Sequence, residues 1–148
     1  MGLIRAISAA ASGLAAQRVR MDTVGGNVAN MDTTRTPEGT GPYRRHVVRF
    51  SAADQGAPFA QFAARFSGQA DTGVVLTQVG IDNTTPTRRS YDPAHPDADA
   101  DGFVEMPNVD LVTEMTDLTS ANRSYQANVT VLNAVKQMAL RALDIGSR

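Results

Sequence analysis

The sequence predicts an α+β fold, with long helices at the N- and C-terminal ends and a small β-rich region between them. Three observations lead there. Apolar residues recur in alternating steps of three and four at both ends, the heptad spacing of helices that pair along a seam. The stretch between loses that period and is punctuated by proline and glycine around short β-branched runs. The composition is also poor in bulk. Aromatics make up 5% of the 148 residues and tryptophan is absent, so helices packed through small side chains, with little central core, are expected.

The first helix is expected over roughly residues 3–30. Ile4, Ile7, Ala11, Leu14, Met21 and Val28 hold places in its stripe, and Arg18 and Gly25 fill the two remaining ones. Residues 1–30 are therefore assigned to an N-terminal helix. Residues 31–107 form the β-rich middle region. Within it TTRTPEGTGP (33–42) is turn-rich and YRRHVVRF (43–50) is β-branched and aromatic, as in a strand. Residues 51–72 are linker-like, with Phe59, Phe62 and Phe66 spaced for one short amphipathic turn. GVVLTQVGID (73–82) alternates like a strand, and TRRSYD (87–92) is expected to pair with it after a turn at Asn83–Pro86.

The C-terminal helix is assigned to residues 108–148. Leu111, Met115, Leu118, Asn122, Tyr125, Val129, Leu132, Lys136, Ala139 and Leu143 step by four and three without a break. A second stripe runs beside them through Val131, Val135, Met138, Ala142 and Ile145. Together they span close to half the helix wheel, more than one partner helix can cover. Pro107 and Asn108 mark the start and Gly146 the stop, giving a helix of about 36 residues. The polar residues inside the seams, Arg18, Asn122 and Lys136, cost stability and are expected to set register and partner number. The competing reading, for Lys136 above all, is a long stem that carries its charge out to water.

Composition excludes several functions. The net charge of −1 and pI near 6.1 carry no electrostatic footprint for nucleic acid. Without cysteine there are no disulfides or thiolate metal sites. No apolar run is long enough to insert directly into a membrane. The Ala-rich opening is interrupted by Ser8, Ser12 and Gly13 and keeps its period past any cleavage point, so no cleaved signal peptide is expected.

Asp97, Asp99 and Asp101, followed by Gly102, begin like the calcium loop of an EF-hand. The twelfth place of that loop needs a bidentate glutamate and holds Asn108, while Pro93 and Pro96 occupy the place of the incoming helix. A polar turn in which aspartates accept local amides is the expected structure. A calcium-binding interaction module is the alternative from a different class. His46 and His95 lie in no nucleophile or phosphate-loop motif, so no enzyme, metal or cofactor is expected.

Two separated stretches carry a resemblance. SGLAAQRVRMDTVGGNVANMDTTRT (12–36), with Asn27, Ala29 and Asn30 followed by Thr33 and Thr34, resembles the N-terminal signature of bacterial flagellar axial proteins, the rod and hook family. PYRR (42–45), SYDPAHPDADADGFVEMPNVDLV (90–112) and SANRSYQANVTVLNAVKQMALRALDIG (120–146) narrow it to the proximal-rod members. His95, Pro96, Asp97, Asp99, Gly102, Pro107 and Asn108 carry that second motif. Gly25-Gly26 departs from the Ser/Asn pair more usual before Asn27 and implies a looser end to the first helix. The resemblance implies an antiparallel coiled coil of the terminal helices and a non-enzymatic subunit of a tubular drive shaft. The tube transmits torque and encloses the export channel. Implied partners are copies of the chain, other proximal and distal rod proteins, the basal-body base and the flagellar type III export apparatus. The implied location is the basal-body rod, periplasmic in a cell with an outer membrane. Another rod or hook protein is the alternative within the class.

Overall fold

A computed structural model describes residues 2–37, 41–52 and 73–146. In chain order the elements are α1 (Gly2–Ala29), β1 (His46–Ala52), β2 (Val74–Ile81), β3 (Arg88–Tyr91), β4 (Phe103–Met106) and α2 (Leu111–Gly146). The short amphipathic turn expected at Phe59, Phe62 and Phe66 lies outside the described residues.

Two long helices with a small strand region between them make the fold α+β, and the helices are antiparallel. Gly13 of α1 faces Asn128 of α2, whereas Asn27 of α1 bonds Glu114 of α2. The position rises on one helix as it falls on the other. Helix α2 begins after Asp110, whose carboxylate accepts from the Thr113 amide and hydroxyl and so satisfies free donors of the first turn. Helix α1 continues through Gly25 and Gly26 to Ala29, contrary to the looser end expected there. The Gly26 carbonyl accepts from both the backbone amide and the side-chain amide of Asn30. Asn30 thus closes the last turn that the two glycines leave weak.

The strands form two two-stranded sheets, β1 with β2 and β3 with β4. The expected hairpin of 73–82 with 87–92 is therefore corrected: β2 takes β1, and β3 takes a strand unforeseen as such, Phe103–Met106. The antiparallel register sets Arg89 opposite Glu105 and Tyr91 opposite Phe103. The cause lies in the turn after β2. Asp82 accepts the amides of Thr84 and Thr85 and both their hydroxyls, which holds residues 82–85 in a local cap. The Asp82 amide itself donates to the Arg45 carbonyl, keeping the end of β2 beside β1.

The chain divides into two compact units. The first comprises Met1–Val19, Arg49–Gln78 and Ala121–Arg148; the second, Arg20–Val48 and Val79–Ser120. The buried apolar residues of the first are Ala10, Ala16, Ala121 and Val135. A side chain at Gly13 would meet Asn128 Nδ2 at 2.8 Å, so this glycine sets how closely the helices approach. Ser12 donates to the Ala9 carbonyl and accepts from the Val74 amide, tying the start of β2 to α1. The second unit buries Val24, Val104 and Val109, with Asn27, Asn108 and Glu114 among them. Its centre is polar.

Candidate assembly site

The polar centre begins at the turn before β1. The Tyr43 amide donates to the Thr33 carbonyl, and Thr33 is held in turn by Asn30. This brings Tyr43, Arg45 and His46 over the end of α1. Asn27 there is 1% exposed. Its Nδ2 donates to the His46 carbonyl at 2.9 Å and to Glu114 Oε2 at 3.1 Å. Its Oδ1 accepts from the His46 amide at 2.8 Å and the Tyr43 hydroxyl at 3.0 Å. Every hydrogen-bonding position of the carboxamide is filled. The hydroxyl has one proton and gives it to Asn27, so the 2.6 Å contact between Tyr43 and His46 Nδ1 requires the proton on that nitrogen.

Glu114 is fully buried. A carboxylate out of water needs compensation, and it receives Arg45 Nε as well as Asn27. Arg45 also pairs with Asp117. Burial works against the Arg45 cation, but the bond to Glu114 and the fields of Glu114, Asp117 and Asp82 outweigh it and raise its pKa. Burial, then the Glu114 charge, pushes the Tyr43 hydroxyl upward as well. The Arg45 amide donates to Asn108 Oδ1, and Asn108 Nδ2 reaches the carbonyls of Asp82 and Thr85. Two asparagines thus clasp the end of α1, β1, the turn after β2 and the start of α2.

The aspartate loop is occupied by its own surroundings. Asp97 accepts from Thr34 and pairs with Arg35, while its amide donates to His95 Nδ1. Asp99 accepts the amides of Asp101 and Phe103 and pairs with Arg89. Gly102 sits at φ +79°, where a side chain would press on Tyr91 and Pro93. Among the described residues no three acidic or histidine groups converge on a common point. Ala29 and Pro96 are exposed, and Pro107 is fully buried between β4 and α2.

The residues assigned to coiled-coil or assembly contacts fall into two sets. Leu14, Met21, Val28, Leu118, Tyr125, Val129, Leu132 and Ala139 are half-buried, and Val135 is buried. Ile4, Ile7, Ala11, Arg18, Leu111, Met115, Asn122, Lys136, Met138, Ala142 and Leu143 are exposed. The most buried line on α1 runs through Ala10, Gly13, Gln17, Arg20, Val24 and Asn27. It lies one residue, about 100°, from the aliphatic stripe. On α2 the line runs through Glu114, Leu118, Ala121, Tyr125, Asn128, Leu132 and Val135. Small and polar side chains fill the α1 side of the contact, with Leu118, Tyr125 and Leu132 joining it on α2, while the most exposed aliphatics lie outside it. The spacing of apolar residues did not reveal Glu114, Tyr43, Arg45 or His46. Only the polarity of Arg45 and His46 inside a strand pattern hinted at the clasp.

Two family models match the chain. One, described as "Flagella basal body rod protein", covers residues 7–35. The other, "Flagellar basal body rod FlgEFG protein C-terminal", covers residues 100–145. Full-length relatives agree. The chain is 45% identical to the flagellar basal-body rod protein FlgC of Bacillus subtilis, over 99% of each chain. It is 44% identical to that of Borreliella burgdorferi over 98% of each, and 43% identical to that of Salmonella typhimurium over 99% of each. The chain belongs to the FlgC family of flagellar basal-body rod proteins. No described helix is long and apolar enough to cross a membrane.

Proposed function

We propose that the chain is a structural subunit of the flagellar basal-body rod, non-enzymatic, polymerising through its terminal helices with copies of itself and other rod proteins. The tube so formed transmits torque and encloses the export channel. The observation that carries this is the apolar flank left outside the helix contact. Ile4 is 69%, Val112 73%, Leu143 70% and Ile145 79% exposed, outside the buried lines of the two helices. A contiguous exposed apolar flank of this kind marks a face that another chain covers. An open helical tube needs different faces of one subunit to meet, and the 129–145 arc is the candidate for one of them. Location in the rod, across the periplasm of a cell with an outer membrane, and passage through the flagellar type III apparatus without a cleaved signal, complete the proposal.

Deleting residues 136–148 removes the most exposed part of the arc and leaves the polar clasp untouched. We expect the truncated chain to be missing from isolated basal bodies and its strain to be non-motile. A motile strain carrying only the truncated chain overturns the proposal.

A further inference from the structure

The two compact units differ sharply in charge. The first holds eight basic and three acidic residues, net +5, and the second six basic and twelve acidic, net −6. In the second unit, alternation along β4 turns Val104 inward, so Arg89, Tyr91, Phe103 and Glu105 share the outer face of the β3–β4 hairpin. Tyr91 is 66% exposed and meets the Phe103 ring edge-on, with centroids 5.2 Å apart. Arg89 lies over Phe103 and is neutralised by Asp99. Asp101 and Glu105 are exposed and make no ion pair among the described residues. An exposed aromatic pair with Glu105 on its face and Asp101 in the adjoining turn has an anchor and a charged edge, as an interface centre does.

The first unit offers its complement. Arg123 and Arg141 of α2 are exposed and make no ion pair among the described residues. They are five helical turns apart, so they lie on one flank about 27 Å apart. Between them that flank presents Ala127, Thr130, Ala134 and Gln137, all exposed. Nothing bulky stands between the two cations.

Resting on the rod-subunit proposal, we infer that the outer face of the β3–β4 hairpin of one copy docks on the Arg123–Arg141 flank of α2 in the next copy. One chain carries both halves of the contact, as a repeating head-to-tail assembly demands. Asp101 and Glu105 stand four residues apart, at most about 14 Å, so the hairpin engages one end of the flank at a time. Opposite charge speeds encounter and disfavours wrong partners.

Charge reversal tests this in the full-length chain. One variant carries Asp101→Arg and Glu105→Arg, a second Arg123→Glu and Arg141→Glu, and a third all four. Each replaces the native chain in a motile strain, and its content in isolated basal bodies is measured by immunoblot. All four positions are exposed, so the far-UV circular dichroism of the purified variants should match the native chain. We expect each reversal to lower incorporation at least about fivefold, and the combined variant to restore it, because its reversed faces again complement each other. Unchanged incorporation in either reversal overturns the inference. So does a combined variant no better than its parents, which would assign the faces to other rod subunits. Native chain absent from basal bodies would instead remove the rod-subunit proposal, and this inference with it.

Discussion

Asn27, itself buried, bonds His46 twice, Tyr43 once and Glu114 once. Replacing it by alanine strands the His46 amide and removes one of the partners that compensate the buried Glu114. Unmade bonds of this kind cost far more than the bonds themselves contribute. We expect Asn27→Ala to destabilise the full-length chain by about 2–4 kcal/mol, read as a lower urea midpoint by tyrosine fluorescence. A midpoint unchanged within error would show that the clasp contributes nothing. The sequence marked Asn27 and Asn108 as motif positions but not what they hold. Glu114 sits one place from the expected stripe, at Met115, and looks like an ordinary acid in a first helical turn. Only the fold brings Arg45 to it.

The β3–β4 hairpin is held by a different chemistry, titratable and exposed. The Phe103 amide, then the Asp101 amide and Arg89, hold the Asp99 carboxyl below the usual aspartate range. Thr113 does the same to Asp110 through its hydroxyl and amide. A carboxyl whose folded pKa is depressed contributes stability that is present above the unfolded value, near 4, and lost as pH falls through the folded one. Hairpin amides of Arg88–Tyr91 and Phe103–Met106 should therefore lose native chemical shifts on acidification below about pH 4. The Asp99→Asn variant should show less of that loss. An identical acid limb in both would rule Asp99 out as the cause. At this scale the helices were plain in the sequence, because long periodic patterns outlast local noise. The second sheet was not. Phe103–Met106 alternates as a strand should, yet it follows three aspartates and a glycine whose spacing fits a metal loop, and that template absorbed it.

The chain keeps its buried polar network in one unit and much of its exposed helical apolar surface in the other. The α1 segment of the first unit contributes mainly alanine and glycine to its buried line, which bury little. We expect the purified chain to show less helix by circular dichroism than its described helices of 28 and 36 residues imply. Amides of residues 3–19 should exchange rapidly, while those of the second unit exchange more slowly. Full protection of residues 3–30 in a monomer would contradict this. The sequence showed the heptads but not which flank faces inward. Rotation about a helix axis is set by the few close fits, such as Gly13 against Asn128 and Asn27 against Glu114, and hydrophobic periodicity is blind to them.

Glu114 follows Asn27 by 87 residues. A ribosome making this chain therefore exposes the first helix long before the residue that completes its polar latch has been polymerised. The nascent chain cannot shut, and what it presents until late in synthesis is an unfinished thread. For the threaded export proposed above, delay written into the distance between two side chains would keep the chain pliant until late in its synthesis.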